Sequence, residues 1–292
     1  MLRGTLLTLG GGTLWGFSGT CGQYLLQVKG IPAEWLVAVR LLTSGMVLLA
    51  ICLFRRDKNV WRVWKRDTPG MLIFGMLGRS ACQYTYFAAI TYSNAGTATV
   101  LEYLSPVLVL LYLCLRERRR PRLLEIVCIA LALAGTFLIA THGHPGSVAL
   151  SEKALFWGLL AAAALSLYTV QPVRLLERYG AMTVTAWGML LGGATLAAVF
   201  RPWRFDVTLD AQALGALAIV ILIGSVLAFT IHLEGIRCVG PKKGSLFSSV
   251  EPVSATVFAV LLMGASFQPM DLAGFACILS TIFLLSWDKS EN

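Results

Sequence analysis

Charge is scarce in this chain. Lys, Arg, Asp and Glu together make up 13% of its 292 residues, with 15 acids and three histidines, where a soluble domain carries about 25% charged residues. That shortage argues against a soluble globular enzyme. Apolar residues make up 57% and mean hydropathy is +0.74, so disorder is excluded too, because disordered chains are poor in apolar residues. The seven cysteines form no C-x-x-C and lie in or beside apolar runs. They read as small packing residues, and neither a disulfide framework nor a metal site is expected. There is no G-x-x-x-x-G-K-[ST] loop to cradle a nucleotide phosphate, and no cofactor is expected. The net charge of +9 would suggest nucleic acid in a soluble protein. Here the basic residues sit in short loops between apolar runs, which points to the bilayer as partner and excludes nucleic acid.

What is present is a series of long apolar runs. A spanning helix needs about 20 mostly apolar residues, and ten segments qualify: 4–28, 33–54, 68–91, 95–115, 122–141, 153–175, 182–200, 211–234, 243–264 and 269–287. The expected fold is an all-α integral membrane protein. Span 1 is too long for a signal-peptide core and is expected to stay. The connection 55–67 carries Arg55, Arg56, Lys58, Arg62, Lys65 and Arg66. Trp61 and Trp64 suit it to an interfacial helix.

Ten spans put both termini on one side. Eighteen of the 24 basic residues then fall on the side of the termini, four on the other, and Arg40 and Arg79 lie inside spans. By the positive-inside rule the termini are cytoplasmic. The halves also align at an offset of 146, which sets Pro106 on Pro252, Val107 on Val253 and Arg79 on Ser225. Five spans per half invert the second copy. The expected units are 4–141 and 153–287, two inverted five-helix repeats. Such repeats mark transporters, with a site near the midplane between halves and alternating access by rocking.

Glu251-Pro252 in the middle of span 9, Leu104-Ser105-Pro106-Val107 in span 4, Arg116-Glu117 at its end, Trp15-Gly16 in span 1, and Pro32 followed by Arg40 in span 2 together resemble the drug/metabolite transporter superfamily, in particular its EamA-type members. The order and spacing of these short motifs carry the resemblance over nearly the whole chain. One departure is Met263-Gly264, where the second unit would be expected to end span 9 with Arg-Glu. The resemblance implies a secondary transporter in the inner membrane, usually an exporter of small metabolites such as amino acids. It implies a cavity lined mainly by spans 1, 3, 4, 6, 8 and 9.

A charge inside the membrane is costly and should face protein or water. Arg40, Arg79, Glu102 and Glu251 stand well inside spans, two of each sign. Glu102 and Arg40 lie at similar depth and can pair. Arg79 is expected to face the cavity and hold a substrate carboxylate, or to pair with Glu102 when the site is empty, since an Arg fork fits a carboxylate. Glu251 precedes Pro252 and Glu102 sits four residues before Pro106, and proline removes a helix hydrogen bond and frees a carbonyl. Glu102 or Glu251 is therefore expected to take a substrate amine or a coupling proton. Trp15, Tyr84, Tyr103, Tyr168, Gln171 and Ser248, with Gln23 and Ser249, complete the candidate lining, as aromatic walls with few polar groups suit a small molecule. His232 and Glu234 fall near the inner end of span 8 and read as gate-lining or snorkelling, and His142 and His144 as solvated beside Pro145.

Three other readings compete. Gly16-Phe17-Ser18-Gly19 matches the G-x-S-G of intramembrane serine proteases, with His232 as a base, but it sits on the first span of a duplicated chain. The second is a passive channel or facilitator. The third is carriage of drugs, sugars or nucleosides. Uphill transport without a nucleotide loop requires an ion gradient such as protons, or an exchange substrate.

Overall fold

The computed structural model describes residues 2–142, 149–239 and 247–287. The Gly240–Gly244 turn, His144, the start of span 9 at 243–246 and Lys289 lie outside the described residues. Within them the chain is helical, with no strand. Span 2 is Ala33–Phe54, span 5 Leu123–Thr141, span 7 Ala181–Phe200 and span 10 Pro269–Trp287. Span 1 runs Leu2–Gln23 and continues as a wide π turn, Tyr24–Val28. Their outer faces leave Leu133, Val199 and Phe283 exposed, as a lipid-facing surface requires, while every spanning backbone must satisfy its own hydrogen bonds.

Spans 3, 4, 6 and 8 are interrupted, and the described part of span 9 turns at Ser249 before its helix Val250–Met263. Span 4 is Ala95–Glu102 and then Ser105–Arg116, broken at Tyr103–Leu104. Pro106 lies just past the break and has no N–H to return to the carbonyl four residues back. Span 6, Glu152–Val170, stops before Pro172, and a separate helix Val173–Tyr179 follows along the surface. Span 3 is Thr68–Ile73, a π turn Phe74–Arg79, and Ser80–Tyr92. Span 8 is Ala211–Ala218, a π turn Ile219–Leu227, and Ala228–Val239. At the repeat offset these two wide turns coincide. Turns of this kind concentrate at functional sites.

The packing follows the duplication. Span 1 packs on spans 8 and 9, and span 6 packs on spans 3 and 4. Exchanging halves turns one set into the other. Spans 2 and 7 pack on each other, as do spans 5 and 10, and each of these pairs maps onto itself. The fold is thus ten helices in two inverted five-helix repeats, {1, 8, 9} facing {3, 4, 6} across a central space.

Glycines set how closely span 1 approaches its neighbours. A Cβ on Gly16 would lie 2.1 Å from Ser254 Oγ and 2.6 Å from the Ala255 nitrogen, and one on Gly11 2.7 Å from His232 Cβ. Close approach of this kind is how small residues pack membrane helices. The connection between spans 2 and 3 forms the expected short helix, Asn59–Arg66. His142 is not left to solvent: its Nε2 lies 2.9 Å from Asp271 Oδ1 and ties span 5 to span 10.

Candidate functional site

Between the two helix groups lies a cavity of about 680 Å³, within the size range of small-molecule sites. Its lining runs from Gly19, Tyr86 and Glu102 down to Leu113, Glu125, Leu176, Ile236 and Ile282. Those last five lie near the helix ends on the side of the termini, so the cavity reaches that side. The opposite side is tied shut. Gln27 Nε2 donates to the carbonyls of Ile90 and Ser93, each at 2.8 Å, and Gln23 Oε1 accepts from the Ala95 amide at 2.9 Å. Tyr24 donates to Gln212 Oε1 at 3.0 Å, and Lys29 Nζ stands 2.5 Å from Asp210 Oδ2.

Arg79 closes the π turn of span 3 and is 2% exposed. The wide turn carries its side chain between two rings. The guanidinium lies 5.2 Å from the Tyr168 centroid and 5.0 Å from that of Phe229. Nη1 donates to Tyr168 Oη at 2.8 Å. Nε and Nη2, the edge that would grip both oxygens of a carboxylate, have no hydrogen-bond partner though buried. A buried donor left unmet costs about 1–3 kcal/mol, more when charged.

The two carboxylates reach the cavity from the proline breaks. Glu102 is buried, and its side-chain partner is a thiol, Cys82 Sγ at 3.7 Å from Oε1. Glu251 Oε2 accepts from Tyr103 Oη at 3.0 Å, and the same hydroxyl lies 2.9 Å from the Ser248 carbonyl. Pro252 has no N–H to reach that carbonyl, so a tyrosine of one repeat occupies the backbone position that the proline frees in the other. The offset sets Glu102 on Ser248 and Ser105 on Glu251, and all four line the cavity. Each repeat therefore supplies one carboxylate beside its proline break, at non-equivalent positions, while Glu125, lower in the cavity, is already held by Arg119.

The expected Arg–Glu pairs do not form. Arg40 Nε donates to Ser225 Oγ at 3.0 Å and the guanidinium stacks over Phe87 at 5.0 Å. Ion pairs among the described residues lie at the helix ends and loops and involve none of Arg40, Arg79, Glu102 and Glu251. Both carboxylates and Arg79 thus stand in one cavity without neutralising each other.

Of the nine residues expected to bind substrate, Arg79, Glu102, Glu251, Trp15, Tyr103, Tyr168 and Ser248 line the cavity, while Tyr84 and Gln171 do not. Tyr84 donates to Glu34 Oε1 at 3.2 Å and lines a separate pocket of about 240 Å³ with Trp157. Gln171 Nε2 donates to the Gly70 carbonyl at 3.0 Å. Gln23 ties span 1 to the start of span 4, as described above.

Sequence reasoning placed His232 too near the interface. It is buried, and its ring packs at a tilt against Trp15 with centroids 4.5 Å apart. Nδ1 lies 3.4 Å from the Thr8 carbonyl and Nε2 3.2 Å from Ser248 Oγ. A carbonyl only accepts, so Nδ1 carries a proton, and in the neutral ring Nε2 accepts from the serine. Phe229, which lies against the Arg79 guanidinium, and Phe74, which stacks on Tyr168 in the cavity lining, were also missed. Ser18 is not paired with His232: its hydroxyl has no hydrogen-bond partner, so the Ser18–His232 couple that the G-x-S-G reading needs is not formed.

Comparisons with known proteins agree with this architecture. The model of the EamA-like transporter family matches residues 2–141 and 152–287. The chain is 36% identical to an uncharacterized inner membrane transporter, YicL, of Salmonella typhimurium, over 99% of this chain and 97% of that one. It is 24% identical to the threonine/homoserine exporter RhtA of Escherichia coli, over 86% of this chain and 80% of that one. A protein of known crystal structure superposes with a TM-score of 0.63 over 97% of this chain and 95% of its own, at 22% identity, and supports the fold. The inverted ten-helix packing, the cavity between the repeats and the family match over both halves lead to one conclusion: this chain belongs to the EamA-like transporter family.

Proposed function

We propose that the cavity carries a small zwitterionic metabolite, an amino acid or a close relative, out of the cell by alternating access. The observation that carries this reading is the unmet Nε–Nη2 edge of Arg79 in a cavity that also holds two carboxylates without a cationic partner. A substrate carboxylate satisfies the Arg fork in two parallel hydrogen bonds. A substrate ammonium satisfies Glu102 or Glu251. The aromatic faces of Trp15, Tyr168 and Phe229 cover what lies between. A ligand of one charge would leave the opposite group buried and unmet.

The termini are cytoplasmic in this reading, as the excess of basic residues on their side favours, and the membrane is the inner, plasma membrane. The cavity then faces the cytoplasm, ready to load for export. The repeats 4–141 and 153–287 are the two units that exchange roles as the outer contacts of Gln23, Gln27 and Lys29 open. Glu102 or Glu251 couples the cycle to a proton or to an exchange substrate. The exporter of threonine and homoserine among the relatives supports the amino-acid reading.

The test is counterflow in proteoliposomes. Vesicles are loaded with pools of unlabelled amino acids and offered traces of labelled ones, with wild type, Arg79→Ala and Glu102→Gln. One pool should drive accumulation in wild type, and Arg79→Ala should lower it at least about tenfold, since losing one partner of a buried charge pair costs about 2–5 kcal/mol. Folded wild-type protein with no counterflow for any amino-acid pool would overturn the reading.

A further inference from the structure

We propose that the connection between spans 2 and 3 is a binding platform for anionic phospholipid headgroups. This inference rests on the membrane fold alone and not on the identity of the substrate.

The segment has more order than a loop that serves only as a charge signal. Its helix, Asn59–Arg66, buries Val60 and Val63 completely. Span 7 holds it in place. Trp187 Nε1 donates to the Val60 carbonyl at 2.9 Å, and the Trp187 ring meets Trp64 edge-on at 5.0 Å. Asp57 is the one acid between Phe54 and Asp67, and it is used within the fold: Oδ2 accepts from Thr183 at 2.7 Å and Oδ1 from the Asn59 amide at 2.9 Å.

What this rigid segment presents outward is cationic. Arg55, Arg56, Lys58, Arg62, Lys65 and Arg66 are all exposed, and none makes a side-chain hydrogen bond or ion pair among the described residues. Two large apolar groups stand among them, Phe54 at 89% exposure and Trp61 at 57%. Phe54 ends span 2 and Thr68 begins span 3, so this mixture of cations and rings lies at headgroup depth. There Trp is favoured and a lipid phosphate meets Lys and Arg with its acyl chain beside the rings. A soluble anion would leave Phe54 and Trp61 uncovered.

The other basic connection behaves differently. Between spans 4 and 5, Arg119 forks onto Glu125 at 2.7 and 2.9 Å and reaches Glu117 at 2.9 Å. Part of that loop's charge is neutralised internally. A general topology signal would not distinguish the two loops, and a lipid platform does.

The experiment titrates the purified full chain in neutral detergent with dioleoylphosphatidylglycerol or dioleoylphosphatidylcholine and counts bound lipid by native mass spectrometry. Each Lys or Arg near an anionic surface is worth about fivefold in affinity. The triple variant Arg62→Gln, Lys65→Gln, Arg66→Gln should therefore bind phosphatidylglycerol roughly 100-fold more weakly. The triple Arg116→Gln, Arg118→Gln, Arg120→Gln also removes exposed charge, but from a loop that carries Glu117 and Glu125, and should weaken binding by no more than about tenfold, while the charge-preserving Arg62→Lys, Lys65→Arg, Arg66→Lys should stay within about threefold of wild type. Equal losses in the two Gln triples, or no preference of wild type for the anionic lipid, would overturn the proposal. Should the platform triple fail to fold, the fluorescence of Trp61 in a chain with all its platform cations still decides it. The fluorescence difference between wild type and Trp61→Phe must be quenched more by brominated phosphatidylglycerol than by brominated phosphatidylcholine, and equal quenching refutes the site.

Discussion

Gly16 and Gly10 lie on the same helix, and replacing each with alanine should move stability in opposite directions. A Cβ at Gly10 finds only Ile231 Cδ1, at 3.7 Å, an ordinary contact. A Cβ at Gly16 meets Ser254 Oγ at 2.1 Å, the Ala255 nitrogen at 2.6 Å and the Glu251 carbonyl at 2.9 Å. The serine hydroxyl can rotate away, but the two backbone atoms move only if span 9 moves. Both substitutions gain up to about 1 kcal/mol of helix propensity. Only Gly16→Ala adds overpacking, about 1–3 kcal/mol and at the upper end because backbone is involved. Gly10→Ala should stabilise by about 0.5–1 kcal/mol and Gly16→Ala destabilise by about 1–2 kcal/mol. Reversible unfolding of reconstituted protein in denaturing detergent measures both. Ser254→Gly should rescue Gly16→Ala only in part, since it leaves the backbone clashes. Equal stability of the two alanine variants would refute the close contact between spans 1 and 9. That contact holds Glu251 at the cavity, so Gly16→Ala should also slow transport while Gly10→Ala leaves it unchanged.

Other outcomes follow from the same contacts. Tyr103→Phe removes the hydroxyl shared by Glu251 Oε2 and the Ser248 carbonyl. It should cost about 1–3 kcal/mol of stability and reduce transport, measured by unfolding and counterflow; unchanged values for both would show that the cross-repeat bond carries nothing. Tyr84→Phe deletes a hydroxyl that bonds Glu34 outside the main cavity, so the half-saturation constant for transport should shift by less than about twofold, within the effect of an ordinary surface change. Hydrogen bonds from Tyr179 and Arg178, the latter at 2.7 Å, hold the Asp67 carboxyl below the usual range. Its stabilising contribution is therefore present above about pH 4 and lost as pH falls through the lower folded value. The thermal midpoint of Asp67→Asn should lie below that of wild type at pH 7, and the difference should shrink at pH 3. A difference that is constant with pH would show that the carboxylate charge plays no part.

The fold was legible because hydropathy and loop charge act over whole segments. Span 2 begins and ends where its apolar run does, and the short helix at Asn59–Arg66 appears where its tryptophans fall. Side-chain direction was harder to read, because helices apolar on nearly every face give no amphipathic phase. In span 3 the cavity takes Arg79, Cys82, Gln83 and Tyr86, the i, i+3, i+4, i+7 face. Tyr84 lies five residues from Arg79, about 140° away around the helix, and points elsewhere. Applying that phase to the one charged residue of the span would have excluded Tyr84 and found Gln83. The π turns had no sequence signal. They set Arg79 between Tyr168 and Phe229, and the close approach of span 1 to span 8 that buries His232 depended on glycines whose facing partners only the fold reveals. The expected Arg40–Glu102 pair failed for a related reason: equal depth does not fix azimuth, and Arg40 turns to Ser225 and Phe87 instead.

The central claim is that one cavity meets a carboxylate and an ammonium together. Competition against counterflow tests it directly. With the labelled amino acid that wild type transports, three unlabelled competitors are compared: the same amino acid, its decarboxylated amine, and its deaminated acid. Each truncated analogue leaves either Arg79 or a glutamate buried and unmet, so each should compete at least about 30-fold more weakly than the intact amino acid. An amine that competes as well as the amino acid would contradict the role of Arg79, and an acid that does so would contradict the carboxylate pair.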